Sequence, residues 1–153
     1  MSGLELKVPP VVAALAVAGL MWVATLIVPS FDLAFAVRVV GGVGLGVAGL
    51  CAALAGAVPF RRAHTTVDPT RPDSTSSLVV SGVYRFTRNP MYLGMLVVLL
   101  GWSLFLANAL AFVLTAVFVL YLNRFQITPE ERALSKLFGA EYAAYRGGVR
   151  RWL

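Results

Sequence analysis

The chain has 153 residues, 59% of them hydrophobic, a mean hydropathy of +0.81 and a formal charge of +6 at pH 7. An apolar share so far above the roughly 45–50% of a soluble domain argues against an ordinary soluble protein and predicts an all-α integral membrane bundle in one unit, residues 1–153. The charge is not spread as on a nucleic-acid-binding surface: residues 60–90 carry five Arg against Asp68 and Asp73, residues 121–153 carry five Arg and Lys136 against three Glu, and the rest balances. A basic loop and a basic tail beside apolar runs predict a cytoplasmic face in contact with anionic membrane lipids, and no nucleic-acid partner.

Taken in order, residues 9–28 supply about 20 mainly apolar positions, enough for one crossing. Lys7 ahead of this run imitates a signal peptide, but the run has span length and reads as a first transmembrane helix. After a turn at Pro29–Asp32, a second span covers about 33–58, with Arg38 placed to snorkel towards the headgroups. Within it, Gly44-Leu-Gly-Val-Ala-Gly49 spells the G-x-G-x-x-G nucleotide fingerprint, yet no strand precedes it. Gly42, Gly46, Gly49, Ala53 and Gly56 instead form a small-residue stripe that lets another helix approach closely. Cys51 lies in the same run and reads as a small buried packing residue.

Pro59, Pro69 and Pro72 break the pattern into a long loop over 60–90. Its lone His64 has no second His or Cys to build a metal site, so no metal is expected. The loop ends in Arg88-Asn89-Pro90, where the Pro holds Asn89 extended and starts a helix. Two further apolar segments, about 91–106 and 109–125, form a hairpin around Ala107-Asn108. Four spans and the basic loop put both termini on the cytoplasmic side of an inner or plasma membrane.

The pattern then turns amphipathic over 129–146, with Leu134, Leu137, Phe138, Tyr142 and Tyr145 at helical spacing. Thr128, Pro129 and Glu131 have the spacing of a capping box. That assigns Glu131 to the cap and leaves Glu130, kept ionised by the helix dipole, free to hold a cationic ligand group. Arg88 reads either as a positive-inside anchor or as a planar fork of donors to a carboxylate or phosphate, and Tyr84 and Tyr92 either as interfacial belt aromatics or as the walls of a pocket.

Gly82-Val-Tyr84, Arg88-Asn-Pro-Met-Tyr-Leu-Gly94, Glu130-Glu131 with Leu134, Phe138-Gly139, Tyr142 and Tyr145, and the final Arg151-Trp152-Leu153 together resemble the membrane methyltransferases that include isoprenylcysteine carboxyl methyltransferases and phospholipid N-methyltransferases. The resemblance covers roughly residues 64–153. It implies methyl transfer from S-adenosyl-L-methionine to a lipophilic or lipid acceptor at the membrane face. Carried over by position, it places cofactor contacts on Ser76, Ser77, Leu78, Val79, Tyr84, Asn89, Pro90, Met91, Tyr92 and Glu130. Ser76 and Asn89 stand where isoprenylcysteine enzymes have His. Gln126 stands where those enzymes place an Arg for the substrate carboxylate, with Arg124 two residues earlier, so Arg88, Arg124, Gln126 and Glu130 form the expected catalytic set. If Arg124 does not reach in, the acceptor is a lipid amine, a small thiol or another lipophilic nucleophile rather than a prenylcysteine carboxylate. Membrane reductases using a nicotinamide cofactor resemble the same C-terminal half, and Arg61, Arg62, Arg71 and Arg85 leave that alternative open. A helical scaffold without chemistry is the third reading.

Overall fold

The computed structural model describes residues 5–62 and 77–153. Among these the chain is helical, with no strand: α1 (Pro10–Ala24), α2 (Phe35–Arg62), α3 (Pro90–Leu106), α4 (Ala109–Leu122) and α5 (Thr128–Gly148). A short 3-10 turn, Gly82–Arg85, precedes α3, and a π-helical segment, Asn123–Ile127, joins α4 to α5. Two stretches are long and apolar enough to cross a membrane, Phe35–Pro59 and the continuous Ala109–Gly148, and only 17% of the most apolar part of the first is buried within the molecule.

Two kinds of packing hold the helices. The core between α1, α3 and α4 is filled by side chains, with Met21, Leu99, Phe118 and Leu122 buried and the Trp102 indole N–H donating to the Ala18 carbonyl at 3.1 Å. The seam between α2 and α3 is made by the absence of side chains. A Cβ added at Gly49 would lie 2.5 Å from the Gly94 carbonyl oxygen, and one added at Gly94 would lie 2.5 Å from both Gly49 O and Ala53 N. Further along, a Cβ at Gly101 would lie 2.7 Å from Gly42 O, while one at Gly44 or Gly46 would meet nothing within 4 Å. The stripe of small residues therefore serves close approach of helices, and the fingerprint glycines sit inside α2.

At one end of the bundle, the α3–α4 turn uses Ala107 in the left-handed conformation, at φ 47°. The buried Asn108 accepts from Ala111 N at 3.2 Å and donates to the Val28 carbonyl at 2.7 Å. One side chain thus caps α4 and ties it to the turn after α1.

Several local expectations are corrected. Helix α1 ends at Ala24, where turns over Thr25–Val28 replace its last predicted residues ahead of Pro29. Helix α2 runs on through Pro59 to Arg62, so the loop begins later than expected; a proline near a helix end removes only one hydrogen bond. Cys51 is exposed, on a face of α2 turned away from the seam. The capping box does not form: Thr128 is itself helical and donates to Asn123 O at 2.7 Å, because α4 passes into α5 without a break that would expose orphan N–H groups. The break comes later, at Gly139 (φ 47°, ψ −116°), a conformation open to glycine alone.

The N-terminal segment fastens onto the π segment. Leu6 N–H donates to Phe125 O at 3.0 Å, the buried Gln126 amide donates to Val8 O, and the buried Glu5 carboxylate pairs with Arg124 at 2.9 Å and Arg132 at 2.8 Å.

Candidate functional site

At the end of the bundle opposite the α3–α4 turn, three segments line a cavity of about 70 Å³. The stretch Ser77–Val79 forms one wall, and the 3-10 turn, entered through Gly82 at φ 63°, turns Tyr84 inward until it is 5% exposed. Asn89, Met91 and Tyr92 contribute from the start of α3, while Glu130, Glu131, Leu134, Tyr142 and Tyr145 line it from α5. The Tyr145 hydroxyl donates to Tyr84 O at 2.8 Å, which fixes α5 over the turn.

The chain end closes the arrangement. Arg88 N–H donates to Arg150 O at 3.0 Å and the Asn89 side-chain amide donates to Arg151 O at 2.8 Å. The Trp152 indole reaches back to Asn123 Oδ1 at 3.2 Å. Residues that sequence spacing could not relate are thereby held on both sides of one cavity.

The two adjacent glutamates differ by what they touch. Glu131 accepts two hydrogen bonds from the Arg151 guanidinium, at 3.1 and 2.7 Å, and lies 3.2 Å from Arg88 Nη1. It is an ionic clamp between loop and tail. Glu130 accepts from the Tyr92 hydroxyl at 3.1 Å and has no cation of its own among the ion pairs of the described residues. Burial pushes its carboxyl up to about 7; the Tyr92 hydrogen bond opposes this and the Glu131 charge adds to it. The expected dipole support is missing, since Glu130 lies within a continuous helix rather than at its start. Burial also raises the Tyr84 phenol, with Glu130 and Tyr145 adding to the effect. The Tyr145 phenol is pushed up to about 12 by burial against an opposing Arg88 charge. Both remain neutral hydroxyls at physiological pH.

Of the residues expected from the sequence, Ser77, Leu78, Val79, Tyr84, Arg88, Asn89, Met91, Tyr92 and Glu130 line this one cavity. Pro90 is buried at the start of α3 without lining it, and Ser76 and His64 lie outside the described residues. Arg124 and Gln126 are not brought in. Arg124 is exposed and turned to Glu5, and Gln126 is packed against Val8, because the π segment rotates them towards the N-terminal strap. The sequence reading missed Leu134, Tyr142 and Tyr145 as cavity walls and Glu131 with Arg151 as the clamp. The i, i+3 spacing of the two tyrosines was a signal, but it served equally well for an apolar stripe.

Two sets of buried polar atoms bear on what the cavity accepts. Ser77 Oγ and the Arg88 Nε and Nη1 groups make no hydrogen bond of good geometry, although buried donors are normally satisfied. Set against the carboxylate of Glu130, they suit a ligand carrying both an anionic oxygen and a cationic group.

An apolar helical bundle with a charged, aromatic-walled cavity at one polar end is the plan of a small-molecule site at the edge of an apolar phase. The chain belongs to the phospholipid methyltransferase family, whose pattern matches residues 37–141. It is 49% identical over 63 residues to an uncharacterized protein of Haemophilus influenzae, a match that covers 41% of this chain and all of that protein. It is 37% identical over 83 residues to the protein-S-isoprenylcysteine O-methyltransferase of Saccharomyces cerevisiae, covering 52% of this chain, and 40% identical over 75 residues to that of Schizosaccharomyces pombe, covering 47%. The matches span 34% and 30% of those two yeast proteins, about a third of their length.

Proposed function

We propose that the chain is an integral membrane methyltransferase that uses S-adenosyl-L-methionine to methylate a lipophilic acceptor. The observation that carries this reading is Glu130: a half-buried carboxyl bonded to Tyr92, without a cation of its own, facing the same cavity as Ser77 Oγ and Arg88 Nε, which make no hydrogen bond. The family and the names of the yeast relatives support methyl transfer as the chemistry.

In this reading α1 to α4 cross the bilayer, and α5 lies over the cytoplasmic face with both chain termini. The bare apolar side chains on α1, α2 and α4, among them Leu15, Leu20, Val40, Leu54 and Leu120, face lipid. Bound S-adenosyl-L-methionine supplies an activated sulfonium methyl. Glu130 holds its α-ammonium, the backbone and side chains of Ser77–Val79 and Asn89–Met91 hold the remainder, and Tyr84, Tyr142 and Tyr145 exclude water as neutral walls. Alignment and dehydration are then the protein's main contribution, an effect of about 7–11 kcal/mol in favourable cases. With Arg124 held by Glu5, Gln126 by Val8 and the Arg88 charge already met by Glu131, no free cation among the described residues of the cavity awaits a carboxylate, which favours an amine, thiol or other lipophilic nucleophile over a prenylcysteine carboxylate.

The test is a thermal-shift comparison of detergent-solubilised protein with S-adenosylhomocysteine and with NADPH. A ligand at 100 times its Kd stabilises the native state by about 2.7 kcal/mol. S-adenosylhomocysteine is expected to raise the Tm of wild type and not of Glu130→Ala. Stabilisation by NADPH alone would transfer the chain to the reductases, and no response to either from folded protein would leave a scaffold.

A further inference from the structure

A second concavity lies on α5 beside the cavity and shares only Glu131 with it. It is an open groove of about 330 Å³ whose walls carry four cations, Arg132, Lys136, Arg146 and Arg151, from both halves of α5 and from the tail. On a straight helix, Arg146 would stand about 15 Å further along the axis than Lys136; with the break at Gly139 between them, both line one groove.

The charges do not cancel. Arg132 is paired with Glu5, and Arg151 with Glu131, at 2.8 and 2.7 Å. Glu131 is the acidic member of the groove wall and is already engaged by Arg151 and Arg88. Lys136 and Arg146 are exposed and have no ion pair with any described residue. Two uncompensated like charges therefore face one concave space, a state that an anion relieves.

We propose that this groove is a phosphate-binding site separate from the catalytic cavity, taking either the headgroup of an anionic phospholipid or a soluble phosphate. The chemistry is that of a compact anion with several acceptor oxygens, matched by one ammonium and by guanidinium donors. The soluble alternative stands whether or not the chain spans a membrane; the lipid alternative rests on the membrane reading above. Because Arg151 belongs to the groove and also binds Glu131, an occupant there adjoins the clamp that holds Arg88.

The experiment is a set of thermal-shift titrations on the full chain in detergent: inorganic phosphate against chloride at matched ionic strength, and phosphatidylglycerol against phosphatidylcholine in mixed micelles. The double variant K136Q/R146Q is run beside wild type, both residues being exposed and outside the cavity. Each cation near an anionic surface strengthens binding roughly fivefold, so the double variant is expected to need roughly 20 to 30 times more anion for half-saturation. A response to phosphatidylglycerol alone identifies the lipid headgroup, and one to phosphate alone the soluble ligand. Equal shifts in wild type and variant, or none in wild type beyond the chloride and phosphatidylcholine controls, overturn the proposal. S-adenosylhomocysteine added to both proteins separates the two readings: its shift should persist in K136Q/R146Q, and its absence would count against the cavity alone.

Discussion

The α2–α3 seam and the loop–α5 end are both tight, but for opposite reasons. At the seam, Gly42, Gly49, Gly94 and Gly101 bring two backbones together by contributing no side chain. At the other end Arg88, Glu131, Arg151 and Glu130 meet through long side chains whose charges must be matched. The first region is fixed by volume, so it should resist any added atom and ignore charge. The second is fixed by electrostatics, so it should accept an isosteric change of shape only where no charge is lost. That contrast separates what holds the fold from what serves the ligand.

The largest expected effect tests the clamp. Glu131→Gln keeps the shape but removes the charge that compensates Arg88 and Arg151, and breaking one partner of a buried pair costs about 3–5 kcal/mol. It should lower Tm and loosen the tail, measured as faster proteolysis near Arg150–Leu153; an unchanged Tm would show that the clamp contributes no stability. Next comes the seam. Gly94→Ala places a methyl against the Gly49 oxygen and the Ala53 nitrogen, each at 2.5 Å, an overpacking worth about 1–3 kcal/mol or more. Gly44→Ala, with nothing within 4 Å, is the control and should be neutral or slightly stabilising; equal losses from both would deny that the seam depends on volume.

Glu130 sharpens the comparison through pH. Its carboxyl is raised in the folded protein from 4.5 to about 7, so its contribution to stability is fully present below about pH 4.5 and is lost as pH rises through about 7. Glu130→Gln removes that loss while leaving an acceptor for Tyr92. The variant is expected to be more stable than wild type at pH 8, by on the order of 3 kcal/mol, and to lose the response to S-adenosylhomocysteine. In wild type, affinity for that ligand should fall as pH drops below 7, because a proton competes with its ammonium. A flat profile between pH 6 and 8 would remove Glu130 from the binding role. The smallest effect is expected from Arg124→Gln: an exposed cation outside the cavity should cost less than about 1 kcal/mol and leave turnover unchanged, and a large loss of turnover would return it to the site.

Much of this was legible before any coordinates. Composition and span-length runs marked the helices, and Asn89-Pro90 and Ala107-Asn108 marked their boundaries, because these are local properties of backbone and solvent. The small-residue stripe announced a close helix partner, though not that α3 would supply it. The roles of Glu130 and Glu131 were legible only as a pair. Their spacing after Thr128 matched a capping box, and the motif failed because α4 continues through the π segment and leaves no helix start to cap.

By itself, then, the sequence determined an apolar helical chain with its polar chemistry gathered in one loop and one tail, since hydropathy, proline geometry and charge placement act over a few residues. Only the tertiary structure decided which charges meet. It gave Glu131 to Arg88 and Arg151, gave Arg124 to Glu5, and left Glu130 to the cavity, because each pairing joins segments far apart in the chain, and their distances are set by how the helices pack.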